Sequence, residues 1–208
     1  MKVLLINGSP NKEGNTYTAL AEVGKEIEKQ GVEAEIVQIG TEPIRGCVGC
    51  GGCMRKEAKG CVYEDVVSVA AEKMASSDGL IIGTPVHYAA AGGAITSFAD
   101  RFFYSARGAY AYKPAAAVAV ARRGGAVPAF DQLNKYFGIS NMPIVPSSYW
   151  NIAFGQRAGQ AGEDLEGMHT MRVLGRNMVW MLRCIEAGVQ NGVGLPEKEA
   201  KVFYSYIR

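Results

Sequence analysis

The sequence has little net charge and no long hydrophobic run. Its 22 basic and 20 acidic side chains leave a formal net charge of +2, which gives no electrostatic basis for binding nucleic acid or an anionic membrane. No apolar stretch approaches the roughly 20 residues of a membrane span, and the start, MKVLLINGSP, is too short in apolar residues for a secretory signal. We therefore expect a soluble, cytoplasmic protein that binds neither nucleic acid nor membrane.

Two common nucleotide-binding motifs are also missing. The first glycine-rich loop, GSPNKEGNT, is one residue longer between Gly8 and Gly14 than a P-loop, and Asn15 and Thr16 stand where a P-loop has its lysine and hydroxyl residue. The G-x-G-x-x-G pattern of dinucleotide-binding domains is absent. The loop is therefore not expected to hold a nucleoside triphosphate.

The same loop has the features of a site for one terminal phosphate. It follows an apolar predicted strand and opens a predicted helix, whose free amide groups and dipole favour an anion. Ser9, Asn15 and Thr16 can donate further hydrogen bonds. The alternative is that these residues only form a turn and cap the helix.

Strand and helix patterns alternate five times along the chain. Predicted strands cover residues 2–7, 32–39, 78–85, 114–121 and 142–150, and predicted helices cover 15–30, 62–77, 91–104, 130–137 and 164–187. This alternation predicts an α/β fold, a doubly wound sheet of five parallel strands with helices on both faces. We expect one domain over residues 1–187 and a C-terminal tail over 188–208.

The last predicted helix carries an apolar stripe of long side chains. The three-four spacing of a core-facing helix is kept by Met171, Leu174, Met178, Met181 and Ile185. Cys184 is expected to be buried on that side, and His169 is expected at the surface.

Four of the five cysteines lie in one short segment, CVGCGGCMRKEAKGC. In a cytosolic chain such clustering indicates metal or redox chemistry rather than a disulfide framework. Cys47, Cys50 and Cys53 in compact series, with Cys61 further on, are closer to ferredoxin-type [4Fe–4S] ligation than to a structural zinc site. Zinc, or no metal at all with the cysteines packed as small apolar residues, remains an alternative.

Three segments of unusual composition each follow a predicted strand: GSPNKEGNT, TPVHYAAAGG and ARRGGA. Right-handed crossovers bring the carboxyl ends of parallel strands to one edge of the sheet, where such folds bind ligands. The three segments are therefore candidates for a single site.

In this order, GSPNKEGNT, the cysteine motif, DGLIIGTPVHY and FADRFF make the chain similar to the flavodoxin-like NAD(P)H-dependent FMN reductases, near the branch of the iron-sulfur flavoproteins. The resemblance covers residues 1–125 well and the last helix loosely. It implies a flavodoxin-like fold and bound FMN. Asp100 and Arg101 match an Asp-Arg dipeptide of the family. We interpret these two residues as a structural ion pair or a helix cap.

The resemblance implies three groups of FMN-binding residues. They are Ser9, Asn15 and Thr16 for the phosphate; Pro85, Val86, His87 and Tyr88 for the isoalloxazine ring; and Arg122, Arg123, Gly124 and Gly125 for the pyrimidine edge. N–H and cationic groups at that edge would stabilise the reduced, anionic flavin. His87 stands where relatives usually have tyrosine, a departure that bears on which second substrate fits.

The function implied is an FMN oxidoreductase that takes a hydride from NAD(P)H and passes electrons to a quinone, a nitro or azo compound, or free flavin. No side chain needs to act as a nucleophile or base. The alternative is an electron carrier in which a [4Fe–4S] cluster takes single electrons from a ferredoxin and pairs them on FMN. A cofactor-free phosphate-binding or regulatory module is a third hypothesis.

Two aromatic segments lie outside the strand and helix pattern. FFYSARGAYAY, residues 102–112, and VFYSYI, residues 202–207, carry more aromatic side chains than a loop or tail needs. Exposed, they would form an apolar patch typical of an interface. We expect a homodimer or larger assembly; the alternative is that both segments fold back on their own domain.

Overall fold

Apolar runs of the sequence form the central strands of one sheet, as expected for parallel strands that are covered on both faces. The computed structural model describes residues 1–106, 108–200, 202, 204 and 206. Its strands are β1 (Lys2–Asn7), β2 (Glu33–Gln38), β3 (Gly79–His87), β4 (Ala90–Ala91), β5 (Ala115–Ala121) and β6 (Ile152–Phe154). Its α-helices are α1 (Asn15–Glu28), α2 (Val66–Ala75), α3 (Gly93–Ser105), α4 (Ala126–Ile139) and α5 (Leu165–Gln190). Short 3₁₀ helices cover Gly52–Met54 and Gln160–Glu163.

Five of these strands pair in parallel in the order β2-β1-β3-β5-β6, and β4 adds a short antiparallel hairpin at the end of β3. The register aligns Leu5 of β1 with Ile36 on one side and Ile81 on the other. Helices α1 and α5 cover one face of the sheet, and α2, α3 and α4 cover the other. The predicted doubly wound sheet with helices on both faces is confirmed.

Each face is closed by apolar stripes at helical spacing. On α1, Leu20, Val23 and Ile27 are fully buried, and Met171 and Leu174 of α5 pack into the same cluster. Full burial of one such side chain stabilises the fold by about 1.5–3 kcal/mol. Among the described residues, no helix is both long and apolar enough to cross a lipid bilayer.

The strand predicted at residues 142–150 is wrong. The fifth parallel strand is β6, which begins two residues later and pairs with β5 over three positions. Within 142–150, Ile144 forms only an isolated bridge with Ala115. Pro143 and Pro146 explain this, because proline has no N–H to donate and cannot continue a ladder.

Helix α5 confirms the predicted apolar stripe through Met178, but Met181 and Ile185 are only half-buried and Cys184, expected to be buried, is exposed. The buried stripe passes from Met178 to Leu182, and a residue two positions later points about 200° away on a helix. His169 is exposed, as expected. The helix continues to Gln190, three residues beyond its expected end.

The first aromatic segment folds back on its own domain. Phe102 is fully buried and Tyr110 is almost fully buried. Their rings stack with centroids 4.8 Å apart, beside Phe98 and Phe103. The exposed aromatic patch expected here is therefore wrong for Phe102, Phe103 and Tyr110, whereas Tyr104 is exposed. The second segment lies partly outside the described residues, since Phe203, Ser205 and Ile207 are not among them.

Candidate functional site

The carboxyl ends of β1, β3 and β5 are neighbours in the sheet, so the three expected segments meet at one edge. The Gly8 N–H donates to the carbonyl oxygen of Gly83 over 2.9 Å and joins the first loop to β3. A Cβ atom on Gly125 would lie 2.5 Å from the Cα of Ala89, so the third segment contacts the second.

The first loop is held in shape by side chains at the ends of β1 and β2. The Asn7 Oδ1 accepts a hydrogen bond from the Ser9 N–H over 3.1 Å. Gln38 contacts both Asn7 and the carbonyl oxygen of Ser9. The Ser9 hydroxyl accepts from the Asn11 N–H over 3.1 Å. Contacts within the chain therefore hold this conformation of the loop.

Helix α1 begins without a side-chain cap, although its first turn is at the ligand edge. Its N-cap is Gly14, and no described side chain accepts from its first amides. By contrast, Asp65 accepts from Val67 N–H at the start of α2 over 2.9 Å. The Thr16 side chain is buried and its hydroxyl forms no hydrogen bond within the described part of the chain. The α1 terminus thus presents free donors.

Asn15 has a second task besides the one expected. Its Oδ1 accepts from the Ala161 N–H over 3.0 Å and so ties the start of α1 to the loop after β6. Gly155 of that loop lies so close that a Cβ atom would come within 2.9 Å of the Asn15 amide nitrogen. The Asn15 amide nitrogen is left as a donor.

A strained hairpin joins β3 to β4 at the same edge. Tyr88 and Ala89 both have left-handed backbone angles, with φ of 49° and 64°, a conformation that is costly for residues other than glycine. The Gly92 N–H donates to the Thr84 hydroxyl over 3.0 Å and closes the hairpin. Pro85 and Val86 are half-buried here, whereas His87 and Tyr88 are exposed. The hairpin therefore presents two rings to solvent on a fixed backbone.

The loop after β5 presents cationic side chains beside that hairpin. Arg122, Arg123 and Gly124 are exposed, and neither arginine forms an ion pair with another described residue. Gly125 has φ of +84°, which only glycine adopts at low cost. Because its Cα is packed against Ala89, the loop is held close to the hairpin.

A cavity of about 440 Å³ opens beside this loop, between the first turns of α4 and α5. Its walls include Arg123, Gly125 and Trp150. The rings of Tyr149 and Trp150 are in contact, with centroids 4.8 Å apart. The cavity has room and aromatic surface for a flat small molecule.

The four clustered cysteines line one surface pocket. Cys47 and Cys50 are exposed, and Cys53 and Cys61 are half-buried. Burial raises the pKa of the Cys53 thiol, and the nearby Cys61, Cys47 and Cys50 groups raise it further.

Arg101 forms the inner wall of the cysteine pocket. Its guanidinium pairs with the Asp65 carboxylate, so the expected structural ion pair is confirmed with a partner far along the sequence. Asp100 instead accepts a hydrogen bond from the Tyr136 hydroxyl. Burial raises the pKa of Tyr136, and the hydrogen bond to Asp100 raises it further.

Comparison with known proteins assigns the chain to a family. Residues 1–157 match the family of NADPH-dependent FMN reductases. The chain belongs to this family. It is 29% identical over 194 residues to an iron-sulfur flavoprotein of Methanocaldococcus jannaschii, which covers 89% of this chain and 100% of the relative. It is 31% identical over 172 residues to an iron-sulfur flavoprotein of Archaeoglobus fulgidus, which covers 79% of this chain and 73% of the relative.

Solved structures agree on the fold. The crystal structure of a flavodoxin, WrbA-like protein from Agrobacterium tumefaciens has a TM-score of 0.60 at 16% identity and covers 88% of this chain and 98% of that one. The fold is flavodoxin-like. As a member of the NADPH-dependent FMN reductase family, the chain is a flavoprotein oxidoreductase of the FMN-dependent class.

The ligand edge fits the cofactor of the FMN reductase family. The uncapped helix terminus, with the Thr16 hydroxyl in its first turn, suits a phosphate. Exposed rings on a rigid hairpin suit a flat heterocycle, and the cations of Arg122 and Arg123 suit an edge that becomes negative.

The cysteine pocket presents four thiols, which is the ligand type that iron–sulfur clusters take. Within the described residues, no three His, Cys, Asp or Glu side chains converge closely enough to hold one metal ion. The cysteines of a [4Fe–4S] cluster each bind a different iron and lie further apart than the ligands of one ion. Four thiols around one pocket match that donor set.

Sequence reasoning missed the residues that support the site. Asn7 and Gln38 shape the phosphate loop, and Asn7 could have been found because an Asn directly before a turn often bonds the backbone two residues on. The pairing of Arg101 with Asp65 joins two elements separated by 36 positions, and no local pattern carries that information.

Proposed function

We propose that the chain is an FMN oxidoreductase that takes electrons from NAD(P)H and passes them to a quinone, a nitro or azo compound, or free flavin. The observation that carries this proposal is the uncapped start of α1 beside the hairpin and the arginine loop. It rests also on membership of the NADPH-dependent FMN reductase family.

The phosphate would be bound by Ser9, Thr16 and the first amides of α1. The helix dipole stabilises a charge there by about 0.3–1 kcal/mol at an exposed site, and each hydrogen bond to the charged group adds about 1.5–3 kcal/mol. Asn15 would add its amide nitrogen while holding the neighbouring loop. No lysine or metal is needed for one phosphate.

The isoalloxazine ring would lie between the hairpin and the arginine loop. Pro85, Val86, His87 and Tyr88 would hold its faces and edge, and the strained backbone would keep them from turning away. When bound, FMN accepts a hydride and releases electrons singly or in pairs. Arg122 and Arg123, with the backbone N–H groups of Gly124 and Gly125, would stabilise negative charge at the pyrimidine edge.

The chain's own contribution is to bind, orient and exclude water, because hydride transfer requires no protein acid or base. The 440 Å³ cavity beside Arg123 has a size and aromatic lining that suit a flat second substrate.

The test is the visible spectrum of the purified protein followed by anaerobic addition of NADH or NADPH. Stoichiometric FMN and bleaching of the flavin bands by either nucleotide are expected. A colourless protein that fails to bind added FMN would contradict the proposal, and FMN that neither nucleotide reduces would contradict the electron donor alone.

The pocket of four cysteines favours a second candidate function. Here the chain would also hold a [4Fe–4S] cluster on Cys47, Cys50, Cys53 and Cys61, and a ferredoxin would be the partner. Such a cluster supplies single electrons, which the flavin can pair. The support is the shared pocket and the similarity to proteins named iron-sulfur flavoproteins.

Iron and acid-labile sulfide in anaerobically reconstituted protein test this candidate. About four irons per chain are expected. Cys50→Ser should lose iron and keep FMN, whereas Cys184→Ser, an exposed cysteine outside the pocket, should keep both. Iron-free wild-type protein would exclude the cluster, and loss of FMN from Cys50→Ser without iron in either protein would make the segment a wall of the flavin site.

A further inference from the structure

Arg101 is the most deeply buried charged side chain of the pocket region, with 1% of its surface exposed. It lies on α3, between the cysteine segment and α2. A buried guanidinium is costly unless its donors are satisfied and its charge is paired, so its partners indicate why it is there.

Three of its partners fix the plane of the guanidinium. Both terminal nitrogens donate to Asp65, one of them over 3.1 Å, and the carbonyl oxygens of Tyr63 and Arg45 accept over 2.9 and 3.3 Å. The ring of Tyr63 lies 5.3 Å from the guanidinium carbon. These contacts leave the guanidinium one orientation.

In that orientation the remaining donor meets a sulfur. The Arg101 Nε–H donates to the Cys61 Sγ over 3.3 Å, and Cys61 lines the same pocket as the other three cysteines. The ion pair with Asp65 could form without any contact to sulfur. The hydrogen bond to Cys61 therefore gives Arg101 a second contact, with the cysteine pocket, besides its connection of α3 to α2.

We propose that Arg101 is a positioning residue for the cluster, which fixes the Cys61 sulfur as a ligand and raises the reduction potential. The inference rests on the second candidate function, a [4Fe–4S] group on the four cysteines. Reduction adds one electron and breaks no bond, and part of the added negative charge resides on the cysteine sulfurs. An N–H donor and a buried cation next to one sulfur stabilise the reduced state more than the oxidised state.

Asp65 supplies a control of opposite sign. Its carboxylate pairs with Arg101 and opposes the effect of the cation on the pocket. Removing that negative charge while leaving the Arg101 N–H in place should make reduction easier. Removing the Arg101 donor should make it harder. A purely mechanical role for the pair would move both variants in the same direction, or move neither.

The experiment is an anaerobic redox titration of reconstituted full-length protein with dithionite, with reduced cluster followed by electron paramagnetic resonance. Arg101→Gln should disfavour reduction about tenfold or more, or about 59 mV for one electron. Arg101→Lys, which keeps the charge but loses the Nε–H, should shift in the same direction by less, and Asp65→Asn should shift oppositely.

Each outcome bears on the proposal. Equal potentials in wild type and Arg101→Gln at full iron content overturn it and leave the cluster standing. Shifts of the same sign in Arg101→Lys and Asp65→Asn also overturn the proposal. If Arg101→Gln does not fold, these two variants carry the test. Wild-type protein that assembles no cluster overturns this inference and the second candidate function together, with the FMN oxidoreductase proposal unaffected.

Discussion

Ser9 and Thr16 are the residues on which the phosphate site can be tested directly. Both are buried at the ligand edge, and the Thr16 hydroxyl has no partner among the described residues. The double substitution Ser9→Ala with Thr16→Ala removes two hydrogen bonds to a charged group, about 1.5–3 kcal/mol each. FMN affinity, measured by fluorescence titration of the flavin-free protein, should fall by well over tenfold.

A matched control keeps the number of hydroxyls removed the same. Ser76 and Ser140 are the residues that follow α2 and α4, at the opposite edge of the sheet from the site. Ser76→Ala with Ser140→Ala should leave FMN affinity within twofold or so of wild type. Equal affinities for wild type and the Ser9, Thr16 variant would place the phosphate elsewhere.

Glu35 gives a prediction on stability against pH. Lys2 pairs with its carboxylate over 2.7 Å, and Lys73 pairs with it as well. Hydrogen bonds from these two lysines lower the pKa of Glu35 below its usual 4.5. A lowered folded-state pKa means that the stabilisation is complete above the unfolded-state pKa and is lost as the pH falls through the folded-state value.

Glu35→Gln should therefore be less stable than wild type by about 1 kcal/mol near neutral pH, since exposed or partly exposed pairs contribute this much at most. The difference should shrink as the pH falls below about 4.5, the usual value for glutamate. Urea unfolding from pH 7 to pH 3 measures it. A difference that stays constant over that range would mean that the carboxylate's charge is not what stabilises the fold.

Among the elements, the contact between the arginine loop and the hairpin depends on one glycine. Gly125 has φ of +84°, and a Cβ atom there would lie 2.5 Å from the Ala89 backbone. Gly125→Ala would therefore cost about 1–2 kcal/mol for the left-handed backbone and would also push the two segments apart. We expect lower thermal stability and weaker FMN binding, measured by melting and by flavin titration.

Gly31→Ala separates the two effects. Gly31 has φ of +78°, and no atom lies within 4 Å of the position that a Cβ would take, so this substitution carries the backbone cost alone. Its melting temperature should fall by less than that of Gly125→Ala, with FMN affinity unchanged. Similar flavin affinities in the two variants would show that the loop contact is irrelevant to the site.

The elements that the sequence predicts well are those with long, regular patterns. The prediction for strand β1 agrees to the residue, and the stripes of α1 and α5 lie where their spacing places them. Strand β6 escapes prediction because three residues give no periodicity and the apolar run before it is interrupted by two prolines. The prediction for Cys184 fails because it extends a stripe of long side chains past the residue where the phase of the stripe changes.

For the site, the sequence predicts which residues lie at the ligand edge but not the contacts that fix their conformation. Ser9, His87 and Arg122 fall in loops at strand ends, and parallel pairing alone brings those ends together. Their fixed conformation comes from contacts between distant segments, such as Gln38 with Ser9. The same holds for Arg101, whose sulfur contact joins positions 40 apart.

At the scale of the whole molecule, α3 connects the two candidate centres. It begins at Gly93, directly after the hairpin, and carries Arg101 into the wall of the cysteine pocket. Eight residues of helix span about 12 Å. The same helix therefore fixes the distance between the hairpin and the pocket.

The last prediction concerns assembly. Phe102, Phe103 and Tyr110 of the first aromatic segment are packed in the domain, which leaves Tyr104 exposed, so an interface needs further apolar surface. Val193 and Leu195 after α5, and Val202 further on, are largely exposed. If a partner covers this part of the surface, these side chains supply apolar area for the contact. We expect a homodimer at micromolar concentration in sedimentation velocity.

Replacing Val193, Leu195 and Val202 with serine should weaken that dimer at least tenfold, which corresponds to about 1.4 kcal/mol of lost apolar burial. Ile139→Ser is the control, because Ile139 is also exposed but ends α4; its dimer should be unchanged. If the flavin lies near the subunit boundary, the triple variant should release FMN as it dissociates. A wild-type monomer with FMN fully bound would contradict the assembly, and a triple variant that stays dimeric would move the interface away from the tail.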